Sequence, residues 1–193
     1  LFEVMVMGYV CRHGQTEWNV SSITQGWKNS PLTDQGKENA KNLSIKLSKL
    51  NIKKIISSDI GRAVETANII NSKLMKDVSL SSEIREMTYG EYDGKPAEIL
   101  IRENKDFKSF SYQFPGGESP RMFIERISKF IGSFEEKHGN EPFLIVTHIG
   151  AIKAMLIIAE KIKEEEFFTK KISHEDVGII EIRDGKIVSF DFL

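Results

Sequence analysis

The chain of 193 residues is 40% hydrophobic and 28% charged, the balance of a soluble globular protein with one substantial core. Its formal net charge of −1 gives no basis for general attraction to nucleic acid or to a membrane, so any basic site must be local. A single cysteine, Cys11, leaves no internal disulfide framework and suits a reducing, cytoplasmic compartment, and no apolar run is long enough to span a bilayer.

The residues from Val4 to Val10 form an apolar run that reads as a buried strand. The run is short, lacks a cationic flank and leads straight into Arg12-His13-Gly14, so it is not expected to be a signal peptide. A polar loop over 20–31 contains Gln25-Gly26-Trp27. Thr33 is placed to cap a helix with an apolar stripe of Ala40, Leu43, Leu47 and Leu50. Ile52 to Ile56 reads as a second buried strand. It ends in Ser57-Ser58-Asp59-Ile60-Gly61-Arg62 and leads into a helix with Val64, Ala67, Ile70 and Leu74 inward. Residues 76–118 are less regular, with a short helical insert expected from Pro96 to about Lys108 and an aromatic cluster of Phe107, Phe110, Tyr112 and Phe114. Ser119 caps a further helix with Pro120 in its first turn and Phe123, Ile127, Phe130 and Phe134 on its apolar face. Phe143 to Val146 is a third buried strand, closed by Thr147-His148-Ile149-Gly150 and followed by a helix through Ile152, Met155 and Leu156. Val177 to Phe190 reads as two strands joined at Asp184-Gly185, a hairpin signal.

Three strand-to-helix units therefore end their strands in unusual polar chemistry: Arg12-His13, Ser58 to Arg62, and His148. Parallel α/β sheets bind ligands at the carboxyl ends of their strands, where helix N-termini point N–H groups outward. Arg12 is a fixed cation whose planar fork suits phosphate, and His13 can be a neutral nucleophile near pH 7. The expectation is one α/β domain over residues 1–193, with a small insert at about 91–114. Its mostly parallel central sheet is covered by helices on both faces, with distant residues meeting over one anion.

The run Arg12-His13-Gly14-Gln15-Thr16-Glu17-Trp18-Asn19 resembles the histidine phosphatase superfamily, which includes the cofactor-dependent phosphoglycerate mutases. The likeness continues through 57–67, 83–94, 115–121 and 143–150. It implies a phosphoglycerate mutase-like three-layer sandwich, with no metal and no cofactor required. It also implies that His13 attacks phosphorus to form phosphohistidine. Arg12 and Arg62 would hold phosphate oxygens, and a cationic His148 would stabilise the transferring group. Asn19, Gln25 and Gly26 would assist in binding. Glu86 competes with Glu83, Glu91 and Asp93 as general acid, but Glu86-Met87-Thr88-Tyr89-Gly90 is similar to the family's proton-donor segment. The family usually has Gly directly after the second histidine; here Ile149 stands there, with Gly150 one further on, which puts a backbone amide contact from this turn in question.

Other chemistries fit less well. A cysteine phosphatase needs an arginine six positions after its nucleophile, and six after Cys11 stands Glu17, so Cys11 reads as a buried strand residue. His138 and His174 lie in polar contexts and read as surface residues. None of the four histidines has zinc-ligand spacing, and there is no Walker A loop or GxGxxG. The aromatics at 107–114 read as a small satellite core, with a lid favouring apolar substrates as the alternative. Lys95, Arg102, Lys105 and Lys108 read as a solvated helix face rather than as a mutase's extra basic residues. Hydrolysis of a small phosphomonoester is therefore expected ahead of mutase activity, as in the compact members of the superfamily such as the α-ribazole phosphatases. A catalytically silent phospho-ligand module stands last, because His13, Glu86 and His148 are all present.

Overall fold

The computed structural model describes residues 5–193. Six strands form one sheet: β1 (Val6–Arg12), β2 (Lys54–Ser58), β3 (Asp77–Ser81), β4 (Phe143–Thr147), β5 (Val177–Arg183) and β6 (Lys186–Phe192), in the spatial order β3-β2-β4-β1-β5-β6. Pairings β3/β2, β2/β4 and β4/β1 are parallel, and β5 and β6 close the other side as an antiparallel hairpin. Asp184 and Gly185 turn that hairpin with φ of 50° and 68°, the doubly left-handed geometry of a tight turn.

The helices are α1 (Glu17–Val20), α2 (Asp34–Leu47), α3 (Gly61–Leu74), α4 (Ala97–Glu103), α5 (Pro120–Gly132), α6 (Phe134–His138) and α7 (Ile149–Ile158). Thr33 accepts from the Gly36 amide at the start of α2, and Ser119 accepts from the Met122 amide at the start of α5. Strands β1 and β4 are near-continuous apolar runs because both faces are buried, and β2 buries Ile55 and Ile56 beside them. Successive side chains divide between two cores. Val10, Ile56 and Ile145 face α5 and α7, where they join Phe123, Ile127, Phe130 and Met155. Cys11, Ile55 and Leu144 face α2 and α3, with Leu43, Leu47, Ala67 and Ile70. Gly8 on β1 pairs with Phe143 on β4, and a Cβ there would lie 2.0 Å from the Phe143 ring, so the bare backbone makes room for the aromatic side chain.

Several boundaries differ from expectation. The first strand is displaced toward the motif and takes in Arg12; Val4 lies outside the described residues. The second strand runs to Ser58, so Ser57 and Ser58 are fully buried rather than a loop. Strand β3 was not anticipated. Asp77-Val78-Ser79-Leu80-Ser81 does alternate, but as a sheet edge it leaves Val78 and Leu80 exposed and carries no continuous apolar run. Leu50 lies beyond α2, and Val64 is only partly buried, the inward face of α3 being Arg62, Ala63, Thr66, Ala67, Ile70 and Leu74. The insert helix stops at Glu103, where Asn104 bonds back to the Leu100 carbonyl. Phe134 opens the separate helix α6. The aromatics are not a satellite: Phe114 is fully buried in the main core, and Phe107, Phe110 and Tyr112 pack against it.

Candidate active site

The parallel registers pair Arg12 with Thr147 and Ser57 with Val146, so β1, β2 and β4 end at one sheet edge. His13 follows β1, Arg62 opens α3 after β2, and His148 caps α7 after β4. The His13 amide donates to the Thr147 carbonyl at 2.9 Å, which ties the two strand ends together. The His13 and His148 rings meet edge to face with centroids 5.2 Å apart.

The His13 ring is almost wholly buried and committed at both nitrogens. Nδ1–H donates to the Gly14 carbonyl at 2.8 Å, and Nε2 accepts from Arg62 Nε at 3.2 Å. The proton is therefore on Nδ1 and the lone pair on Nε2. Burial, then the charges of Arg62, His148 and Arg12, push the pKa well below the ordinary imidazole value, so His13 is neutral near pH 7. The resulting neutral ring has a nucleophilic nitrogen with cations around it.

Arg62 is a clasp as well as a cation. Besides Nε on His13, its two terminal nitrogens donate to the Lys28 carbonyl at 2.7 Å and the Gly26 carbonyl at 2.9 Å. A guanidinium has five N–H groups, so one on each terminal nitrogen is left over for an anion. Arg12 is less engaged: among the described residues its one bond, to the Ile172 carbonyl, is 3.4 Å long, and its buried Nε has no partner. Burial lowers both guanidiniums to a pKa of about 10, with the Glu86 charge working the other way, so both stay cationic.

Glu86 stands in the same cavity. Its Oε2 accepts from the Gly150 amide at 3.1 Å and its Oε1 from the Met87 amide at 2.9 Å. The turn after His148 thus does supply a backbone donor, from Gly150 and to the acid. Glu86 is held from behind by its carbonyl, which accepts from Trp27 Nε1 at 2.8 Å and from Arg126 at 3.1 Å. Asp93, a competing candidate, is buried but turned into the loop, where it accepts from the Trp27 and Tyr89 amides and the Thr88 hydroxyl. Glu83 pairs with Lys137, and Glu91 is exposed.

A cavity of about 270 Å³ opens on this group and is lined by Arg12, His13, Asn19, Gln25, Gly26, Arg62 and Glu86, together with apolar side chains. Asn19 Oδ1 is engaged by the Thr16 amide and hydroxyl, so its NH₂ is what it can offer a ligand. Gln25 keeps a buried Oε1 without a partner. Gly26 contributes mainly its carbonyl to Arg62. His148 is fully buried, lies outside the cavity lining and reaches it through His13. Its Nε2 meets Ser58 Oγ at 2.8 Å, and its Nδ1 is buried without a partner. Burial and the charges of Arg62 and Arg12 favour its neutral form, whereas the resemblance implied a cation.

Sequence reasoning missed four supports. Ser58 anchors His148. Thr66 Oγ1 accepts from the Gly14 amide at 3.0 Å. Arg126 on α5 bonds Glu118 and the carbonyls of Glu83, Arg85 and Glu86, with no local motif to announce it. His174, expected at the surface, is half-buried and donates from Nδ1 to the His13 carbonyl at 2.6 Å; burial lowers its pKa to about 4. His138 is likewise packed, against Phe130 and Phe134. Cys11 is buried and its thiol is pushed up to about 12, which removes it as a nucleophile. Among the described residues no group of three or more His, Cys, Asp or Glu is placed to hold a metal ion, and no helix is long and apolar enough to cross a membrane.

Known proteins resemble the chain in both sequence and fold. Over 148 residues the chain is 32% identical to the probable phosphoglycerate mutase GpmB of Salmonella choleraesuis, covering 73% of this chain and 69% of that protein. Among solved structures, Bacillus stearothermophilus YhfR superposes with a TM-score of 0.85 at 28% identity over 94% of both chains. The α-ribazole phosphatase of Shigella flexneri does so at 0.80 and 26% identity, over 94% of this chain and 93% of its own. The fold is therefore phosphoglycerate mutase-like: α/β, with a mostly parallel six-stranded sheet between helices. Residues 9–190 match the family described as the histidine phosphatase superfamily (branch 1), and the chain belongs to it.

Proposed function

We propose that the chain hydrolyses a small phosphomonoester through a phosphohistidine on His13, without a metal. The observation that carries this reading is the His13 ring itself: Nδ1–H on the Gly14 carbonyl leaves the lone pair on Nε2, facing Arg62 and the cavity that Glu86 lines. Arg12 and the free N–H groups of Arg62 hold the phosphate oxygens, with the Asn19 amide and Gln25 assisting. When the phosphoryl group binds, Arg62 Nε releases the lone pair. Nε2 attacks phosphorus in line, the P–O ester bond breaks, and Glu86 gives its proton to the departing alkoxide. Glu86, now ionised, takes a proton from water as the oxygen attacks phosphorus and the P–N bond breaks. Ser58 and His174 hold the two imidazoles and their backbone in place, and the fixed guanidiniums offset the developing charge.

The mutase reading keeps the support of the probable mutase relative. It requires a partner for the substrate carboxylate. Among the described residues lining the cavity the cations are Arg12 and Arg62, both at His13. The discriminating experiment is turnover of p-nitrophenyl phosphate in EDTA together with trapping of phosphoenzyme by an alkaline denaturing quench. Turnover and an acid-labile phosphoryl group on wild type, both absent in His13→Ala, are expected. No turnover, or full turnover in His13→Ala, overturns the reading. Interconversion of 2- and 3-phosphoglycerate that depends on a bisphosphorylated primer supports the mutase instead.

A further inference from the structure

The cavity has two kinds of wall. Around His13 it is cationic and polar; the rest includes Ile23, Leu100, Ile101, Phe107, Ile149 and Phe168. These six side chains come from separate parts of the chain: the 20–31 loop, α4, the segment behind α4, the start of α7 and the segment before β5. Phe107 and Phe168 meet edge to face with centroids 5.5 Å apart, so they form an aromatic corner already in place. Ile101 lines the same cavity and is 53% exposed, so the apolar wall extends out to the surface. Ile149 adds a branched side chain at the position where the family usually has a glycine.

Charge points the same way. Arg12 and Arg62 are the cations among the described lining residues, and a phosphate dianion occupies both. Lys108 sits over the Phe107 ring, 5.7 Å from its centroid, and does not line the cavity. A second anionic group on the substrate would be carried past apolar side chains without a partner. A neutral ring would displace water from them. Size permits it: a cavity of roughly 150 Å³ holds benzene, and the 270 Å³ here leaves space for the phosphoryl group as well.

We propose that the substrate is a phosphomonoester whose alcohol carries a neutral, ring-sized apolar group, seated against Phe107, Phe168 and Ile149. The inference rests on the hydrolase reading above and adds the class of alcohol released.

The test compares kcat/KM for 2-phenylethyl phosphate, ethyl phosphate and 3-phosphoglycerate, all esters of primary alcohols. The phenylethyl ester is expected to exceed each of the others by about tenfold, equivalent to about 1.4 kcal/mol. Ile149→Gly and Phe107→Ala are each expected to lower the phenylethyl-to-ethyl ratio by threefold or more. Because both rates come from one preparation, partial loss of folded protein cancels in that ratio. A wild-type ratio below threefold, or 3-phosphoglycerate as the best of the three, overturns the proposal while His13-dependent turnover keeps the hydrolase reading. Ratios unchanged in both variants overturn it too. Absence of His13-dependent turnover of any of the three esters, and of p-nitrophenyl phosphate, removes both.

Discussion

Replacing Gly150 by alanine disturbs Glu86 without altering it. An added Cβ would lie 2.0 Å from Glu86 Oε1 and 3.1 Å from its Cδ. Ordinary non-bonded contact lies at about 3.5 Å, so the carboxyl oxygen must withdraw by roughly 1 Å or more. The hydrogen bond from the Gly150 amide, 3.1 Å long, is strained or lost with it. The obstacle is the far end of a flexible side chain, so the fold gives way easily. Weakening the bond costs about 1–2 kcal/mol, and alanine regains up to about 1 kcal/mol of helix propensity over glycine. The melting temperature is therefore expected to move by only a few degrees. Activity is expected to move much more, because a misplacement of about 1 Å costs on the order of 10²-fold. The loss should depend on the leaving group. Ethyl phosphate needs a proton on its departing oxygen and should lose about 10² in kcat. Nitrophenolate leaves unaided, so with p-nitrophenyl phosphate the loss should fall on hydrolysis of the phosphoenzyme. A stopped-flow burst of nitrophenolate followed by a slow steady state is the expected trace. A Gly150→Ala protein with wild-type kcat on ethyl phosphate would refute the placement of Glu86 as the acid.

Three further outcomes are expected. Ser58→Ala leaves both His148 ring nitrogens buried without a protein partner, and should cost about 1–3 kcal/mol in urea unfolding together with roughly tenfold in kcat. Wild-type stability and rate in that variant would count against a structured role for His148. Arg126→Met removes one donor from each of the Glu83, Arg85 and Glu86 carbonyls and takes the cation from the half-buried Glu118 carboxylate, which keeps only the Thr88 amide, so a loss of about 3 kcal/mol and a lower kcat are expected; unchanged thermal melting would contradict this. The folded-state pKa values of His13 and His148 lie well below the ordinary 6.5, and that of His174 is about 4. The unfolded chain therefore binds protons that the folded chain refuses. Stability is full above the unfolded value and falls as pH drops below it, by up to about 1.4 kcal/mol per pH unit for each histidine until its folded value is reached. Denaturant midpoints that do not change between pH 7 and pH 5 would contradict the burial of these rings.

Much of the molecule was legible before folding because it is written in local patterns. The continuous apolar runs around Val10, Ile56 and Ile145 give strands buried on both faces, and Thr33 and Ser119 announce helix starts through their own hydroxyls. Arg12-His13-Gly14 and the segment before Arg62 carry their chemistry in adjacent residues. What the local pattern misplaced lay at edges. Strand β3 has one neighbour and little burial, so its alternation was too weak to stand out. Leu50 and Phe134 continue a helical spacing across breaks that backbone hydrogen bonding decides.

The amino-acid order alone determined which groups could do the chemistry: two imidazoles, two guanidiniums and a carboxyl group of fixed type. It could not determine what each one touches, because those partners are far away along the chain. Only the tertiary structure put Arg62 on the His13 lone pair, the Gly150 amide on Glu86, His174 under the His13 backbone, and His148 behind the cavity rather than in its wall. Parallel strand registers bring those distant segments to one sheet edge, and burial among apolar side chains then sets their charge states, neither of which a local sequence pattern contains.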